Sequence, residues 1–414
     1  MSFVKCPCCL EEFHRSEILW IAEHEDLKDD YFKDRAERKR FLPERFSKNC
    51  QAYDERGEIC KRDFACPHCH MEISEEYFNS KPMYVSLVGT NRSGKTYFLA
   101  ALHHWLQQNR FIKDYRLDLS FSAALYASQN EILATNVDTL FRRFVPADAF
   151  ARLYSTALDE LEREVTFPDK GIYSVARPFT YVMRKDGERH ALCFYDLSGE
   201  TFFQQRIEEA RNLFTRQILN SDILFFLYDP EQNENCVIDY ARRNGRSIWH
   251  DGQINMDELV ESEQIIASQN REIERTSHQV FHTMANFIRE YANTKAGLIK
   301  EGRYTKYIYI IVTKCDAWKE CLLPETQRYL GEPPNSDIIA SVSNDVKRWL
   351  EQHDSAFTTA VSDFAEHYIY IPVSATGRQP KNKDGVWGYD IGVEPLSPRW
   401  VEVPFLCAMY PPQL

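Results

Sequence analysis

Short, nearly continuous apolar runs punctuate the chain from residue 83 onward: Met83 to Val88 (MYVSLV), Phe179 to Met183, Ala191 to Asp196, Asp222 to Tyr228 (DILFFLY), Tyr307 to Thr313 (YIYIIVT) and Tyr368 to Val373 (YIYIPV). Runs without alternation read as strands covered on both faces, because a strand with one wet face alternates apolar and polar residues. Between them lie stretches with helical periodicity, among them Tyr97 to Asn109, Ala149 to Glu164 and Glu261 to Tyr291. The alternation predicts an α/β fold with a mainly parallel sheet covered by helices. Ahead of Lys81-Pro82 the pattern differs. That part is rich in cysteine and is interrupted from Glu23 to Lys48 by charges of both signs, with apolar punctuation at Leu27, Tyr31, Phe32 and Phe41. We read the interruption as a solvated helix. The segment from Gly377 to Pro398 reads as a Pro/Gly-rich loop returning to an apolar stretch, Val401 to Tyr410, and no internal repeat is apparent. The chain thus divides into a head, 1–80, and a larger domain, 81–414, with helical insertions near 110–165 and 231–300.

Composition narrows the classes. The 414 residues are long enough for two or three domains, and 43% hydrophobic with 27% charged residues excludes global disorder. Lys and Arg total 50 against 62 Asp and Glu, a net charge of -12, so the chain as a whole repels polyanions and nucleic acid is the least favoured partner. There is no run of 18 apolar residues, and MSFVKCPCCLEEF lacks an apolar leader. Neither a membrane span nor export is indicated, and the chain reads as cytoplasmic.

Seven of the 12 cysteines (Cys6, Cys8, Cys9, Cys50, Cys60, Cys66 and Cys69) lie in the head. In a reducing compartment such clustering favours a metal over disulfides. Cys6 with Cys9, and Cys66 with Cys69, are C-x2-C pairs, each with a proline that helps turn two thiolates toward one ion. Together they predict a tetrahedral, structural Zn²⁺ site of the ribbon type. Cys8, Cys50, Cys60, His68 and His70 are surplus: a second site, or spare and supporting groups.

GTNRSGKT, Gly89 to Thr96, follows a predicted strand and opens a predicted helix. This is the P-loop pattern, and it places the sheet in the P-loop NTPase class. Backbone N–H groups of Gly89, Asn91, Arg92, Ser93, Gly94 and the start of the helix through Tyr97 would cradle phosphates. Lys95 would reach the β and γ oxygens and Thr96 would give its hydroxyl to Mg²⁺. DLSGE ends another strand, where Asp196 would serve as the second Mg²⁺ carboxylate and Gly199 as a hinge sensing the γ-phosphate. Glu200, beside the γ-phosphate, either slows hydrolysis by repulsion until a partner assists, or points away to cap the next helix. Gln204 and Gln205 are further candidates for positioning water. Thr166 and Ser174 are candidates for the switch residue completing the Mg²⁺ shell, whereas Thr180 falls within a strand.

TKCD (Thr313 to Asp316) and SAT (Ser374 to Thr376) end two more strands. In this order the four motifs resemble those of P-loop GTPases of the translation-factor and Ras-like class, over about residues 83 to 376. The resemblance implies that Asp316 accepts hydrogen bonds from the guanine N1–H and 2-amino groups, that the Lys314 stem covers the base, and that the backbone at Ala375, between Ser374 and Thr376, touches O6. Thr313 stands where asparagine is commoner. GTNRSGKTYFLAAL, YDLSGE, VTKCD and VEPLSPRWVEVPFL further resemble the bacterial double-GTPase families of conflict and phage-defence systems. The implied activity is a Mg²⁺-dependent GTPase switch signalling to protein partners through the zinc head or the insertions, with antiviral defence as its setting. A nucleotide-stabilised scaffold with little turnover and an ATPase are the alternatives.

Overall fold

The computed structural model describes residues 3–32, 37–90, 93–109, 178–196, 216–243, 276–292, 297–379 and 396–412. It also describes short strands at 111–112, 117–118, 145–146, 162–167, 171–176, 249–250, 253–254, 381–383 and 386–389.

The apolar runs assemble into one sheet. Its main strands are Lys81–Gly89 (β1), Phe179–Lys185 (β2), Glu188–Asp196 (β3), Ile223–Tyr228 (β4), Arg303–Val312 (β5) and Ala365–Pro372 (β6). Their spatial order is β6-β5-β4-β1-β3-β2. Every pair is parallel except β2 with β3, which form an antiparallel hairpin. Leu117–Asp118 and Phe111–Ile112 extend the sheet beyond β2, and Ile299–Lys300 folds back on the start of β5.

Register brings the chemistry to one edge. Asp196 lies opposite Leu87, Leu227 opposite Gly89, and Val312 opposite both Tyr228 and Pro372. The carboxyl ends of five parallel strands, and the loops that leave them, therefore share one side of the sheet, the usual position of ligand sites in open α/β folds.

Two neighbouring phenylalanines show why β4 has no polar face. Successive side chains point to opposite sides of a strand. Phe225 meets Phe98 of helix Lys95–Gln108 (α1) at 6.2 Å between centroids, and Phe226 meets Phe281 of helix Ser277–Tyr291 (α2) at 5.1 Å. Phe357 of helix Ser355–Phe364 (α3) packs on Phe226 and Phe281. On the α1 side, Tyr309 stacks on Phe225 and its hydroxyl donates to the Cys407 carbonyl, 2.9 Å, in helix Val403–Met409 (α4). Each fully buried aromatic contributes about 1.5–3 kcal/mol by removal from water, which favours helix packing on both faces.

Several expectations change. Among the described residues of 23–48 there is no helix, only turns, bridges and the two-residue strand Arg40–Phe41, paired with Leu19–Ile21. The charges there do not all face water. Asp29 and Arg40 are buried: the Asp29 carboxylate accepts from the amides of Tyr31 and Arg40, both 3.0 Å, and lies 2.9 Å from His70 Nδ1. The Arg40 guanidinium donates to the His70 carbonyl at 3.1 Å. Mixed charge here does not mean solvation, because these groups bind the turn to the second cysteine pair. Residues 162–164, expected to end a helix, lie in the strand Glu162–Phe167, paired with Gly171–Ala176; residues 149–161 fall outside the described set. The expected Glu261 to Tyr291 helix is described from Ser277, where Thr276 and Gln279 form a capping box. The expected loop from Gly377 contains strands Lys381–Lys383 and Val386–Tyr389. Most of 110–165 and 244–275 lies outside the described residues.

Candidate functional site

At the end of β1, the Gly89–Thr96 segment turns into α1 with Gly94 at φ +85°, a left-handed conformation that glycine adopts without strain. A Cβ on Gly89 would sit 2.7 Å from Ser93 Oγ and 2.8 Å from the Leu227 carbonyl, so only glycine fits there. The N-cap of α1 is Gly94, which has no side chain to place there, and a helix N-terminus favours an anion. The Lys95 ammonium donates to the carbonyls of Gly89 (3.0 Å) and Thr90 (2.9 Å), across the mouth of the turn. Ser93 Oγ donates to the Thr90 carbonyl, and Thr90 Oγ1 donates to Gln232 Oε1 at 2.6 Å, tying the turn to the end of β4. Asp196 ends β3 next to this turn. Asn91, Arg92, Gly199, Glu200, Gln204 and Gln205 lie outside the described residues, as does the side chain of Thr96. Thr166 and Ser174 lie in the hairpin 162–176, and Thr180 is buried in β2.

The other half of the edge is formed by 313–318 and 374–377. The Thr313 amide and hydroxyl both donate to the Tyr228 carbonyl, and Trp318 Nε1 donates to the Thr313 carbonyl at 2.8 Å. Asp316 accepts a hydrogen bond from the Ser374 hydroxyl. Burial pushes its carboxyl above the usual carboxylate range, against the opposing effect of that hydroxyl. Ser374 is held in turn by residues 397–399: its amide donates to the Arg399 carbonyl, and the Arg399 amide donates back at 2.8 Å. Thr376 accepts from the Ser397 amide. The structure thus brings Lys95, Asp196, Thr313, Lys314, Asp316, Ser374, Ala375 and Thr376 to one edge of the sheet.

Gly377 is where this clasp is tightest. It has φ +77°, and a Cβ there would lie 1.9 Å from the Ser397 carbonyl oxygen. Gly377→Ala is therefore expected to cost at least about 1–3 kcal/mol, the usual range for strained backbone, measured by denaturant unfolding. Unchanged stability would show that the contact yields.

Lys314 has carboxylate partners for its ammonium that the motif does not specify. Its backbone is left-handed, φ +56°, and its ammonium lies 2.7 Å from Asp229 Oδ2 and 2.6 Å from Glu231 Oε2. Both carboxylates are almost wholly buried. Burial pushes Asp229 up to about 6 despite the adjacent ammonium. For Lys314, burial alone would favour the neutral amine, but the two carboxylates outweigh it and raise the ammonium above its ordinary value. Asp229 and Glu231 escaped the reading of the sequence, although DPEQ directly follows a strand end and carries two acids.

No protein-family model matches the chain, and no curated protein does. Among solved structures, Sup35 complexed with GDP aligns over 72% of this chain and 38% of its own at 10% identity, with a TM-score of 0.23. Sup35 with GMPPNP aligns over 73% and 40% at 9% identity, TM-score 0.22. The S. cerevisiae Ski7 GTPase-like domain bound to GTP aligns over 76% and 48% at 11% identity, TM-score 0.26. This chain spans less than half the length of each.

The cysteine-rich head contains a second centre. Cys6, Cys9, Cys66 and Cys69 are buried, with all four sulfurs within 4.8 Å of one another. Cys6 Sγ lies 3.7 Å from Cys69 Sγ, and Cys9 Sγ lies 3.8 Å from Cys66 Sγ. A tetrahedron with metal–sulfur bonds of about 2.3 Å has edges of about 3.8 Å, so the donor set fits Zn²⁺. The two loops have the same geometry. Leu10 and His70, one residue past each pair, have positive φ; the Cys8 and His68 amides each donate to the first cysteine's sulfur at 3.3 Å. CPCCLEEF and CPHCHMEI are thus two copies of one motif, a repeat that their separation along the chain concealed. Of the surplus groups, Cys8 and Cys60 are buried, Cys50 is exposed, and His70 pairs with Asp29. Among the described residues the cluster contains only the four predicted thiols.

Proposed function

We propose that the chain is a P-loop GTPase: a domain of 81–414 that binds Mg²⁺·GTP at the shared edge of its sheet and hydrolyses it, bearing a zinc-bound head of 1–80. The observation that carries this reading is that Gly89, Lys95, Asp196, the Asp316–Ser374 pair and Ala375 share one edge of the sheet, as one nucleotide would require. In this reading the turn and Lys95 hold the phosphates. Thr96 and Asp196 hold Mg²⁺, which supplies neutralisation of developing phosphate charge. Asp316, oriented by Ser374, accepts from the guanine edge, while Thr313, Lys314 and Thr376 shape the loops around it. Gly199, Glu200 and Gln204 would sense the γ-phosphate and position water. Signalling to protein partners, and the defence setting, rest on the resemblance of the sequence motifs.

Binding of a fluorescent GTP analogue and phosphate release from GTP by the purified protein test the reading. Lys95→Ala removes a hydrogen bond to a charged group, an effect of about 1.5–3 kcal/mol, so affinity is expected to fall roughly 10- to 150-fold. Wild-type protein that binds no guanine nucleotide would overturn the assignment. Binding without release above the Lys95→Ala background, with and without added partners, would favour a scaffold over an enzyme. Asp316→Asn with unchanged preference among nucleotides would favour an ATPase.

A further inference from the structure

We propose that Tyr195 links the metal in the head to the phosphate side of the nucleotide site, so that each ligand tightens the binding of the other. The inference rests on the nucleotide reading above. Tyr195 is buried in β3, immediately before Asp196, and its hydroxyl donates to the Pro7 carbonyl at 2.7 Å. That carbonyl belongs to the peptide group whose N–H, on Cys8, donates to Cys6 Sγ at 3.3 Å. One peptide group therefore connects the tyrosine hydroxyl to a metal-binding sulfur. A carbonyl that accepts a strong hydrogen bond polarises its own N–H into a better donor, so Tyr195 adds positive potential at the Cys6 thiolate and fixes its direction.

The second knuckle shows that a knuckle does not need this bond. It has the matching amide–sulfur contact, from His68 to Cys66, yet among the described residues no tyrosine donates to the matching Pro67 carbonyl. Among the described residues the extra bond occurs where the head touches β3. The rest of the contact runs to the same part of the sheet. Tyr77 of the head donates to the Lys5 carbonyl at 2.7 Å and shares a 2.8 Å hydroxyl contact with Tyr84 of β1. The head is thus joined to β1 and β3, the strands whose ends carry Gly89 and Asp196. Outer hydrogen bonds of this kind commonly change metal affinity by about 10- to 100-fold, and linkage is reciprocal: what nucleotide does to metal binding, metal does to nucleotide binding.

The test is the rate at which full-length, zinc-loaded protein releases zinc to a chromogenic chelator, with and without a non-hydrolysable GTP analogue and Mg²⁺. In the wild type, nucleotide is expected to slow release about fivefold or more, the lower range of allosteric coupling. Tyr195→Phe is expected to release zinc about tenfold faster and to lose the nucleotide effect. Tyr181→Phe serves as the control: it removes another buried hydroxyl, one that contacts His103 and not the head, and should retain the effect. If a labelled analogue binds the wild type but leaves release unchanged, the coupling is wrong and the nucleotide reading stands. A nucleotide effect retained in full by Tyr195→Phe overturns the role of this residue. Wild-type protein that binds no analogue overturns both readings.

Discussion

Purified protein should contain about one zinc per chain, as a four-thiolate site requires, and stripping it should unfold the head. The described strands of the head are two or three residues long. Its apolar core is small, and domains near this size often draw on a metal or disulfides for stability. All twelve cysteines are free, so no disulfide replaces the ion. Metal binding in small zinc domains is worth on the order of 10 kcal/mol at neutral pH, and that binding energy is folding energy. Cys66→Ser, or a strong chelator at mild temperature, should therefore remove the zinc, separate the unfolding of the head from that of the sheet, and expose Trp20, which is buried against Phe64. Elemental analysis and tryptophan fluorescence measure both effects. Folded protein without metal, with unchanged fluorescence and unfolding temperature, would overturn the prediction.

What was legible in the sequence follows from the range of the interactions involved. The strands were legible because burial on both faces leaves uninterrupted apolar runs, and every such run became a strand of the central sheet. The cysteine knuckles were legible because their donors are neighbours in sequence. The turn from 23 to 48 was not, since a charged residue in water and one paired in a core look alike until the partner is known; the partner of Asp29 is His70 and that of Arg40 is the carbonyl of the same residue. The clasp of Ser374 by Arg399 was hidden for the same reason. So was Lys314: its residue type fitted the motif, but its actual neighbours come from the end of a different strand.

Replacing that lysine should be the most damaging single change in the larger domain. Asp229 and Glu231 expose 1% and 8% of their side chains, and both direct an oxygen at the Lys314 ammonium. Lys314→Met would leave two adjacent carboxylates in a poorly solvated site. Breaking a fully buried ion pair from one side typically costs about 3–5 kcal/mol, and because a third of the lysine side chain meets solvent the cost here is expected at or below the lower end of that range. Lys319 is about as exposed as Lys314 but pairs at 3.8 Å with the exposed Glu320, and it gives the contrast: Lys319→Met should cost no more than about 1 kcal/mol. The pH dependence has a definite sign. Asp229 is already raised to about 6 by burial with the lysine beside it, and losing the ammonium raises it further. A carboxyl that is raised in the folded state binds protons there that the unfolded chain has released, so its contribution is lost as pH rises. The deficit of Lys314→Met should therefore shrink as pH falls from 7 toward 5. Adding Asp229→Asn and Glu231→Gln to Lys314→Met should recover most of the loss at pH 7, because no buried charge then lacks a partner. Denaturant unfolding of the four proteins at pH 5 and 7 measures this. A deficit independent of pH, and not relieved by neutralising the two acids, would show that Lys314 acts through packing and not through charge.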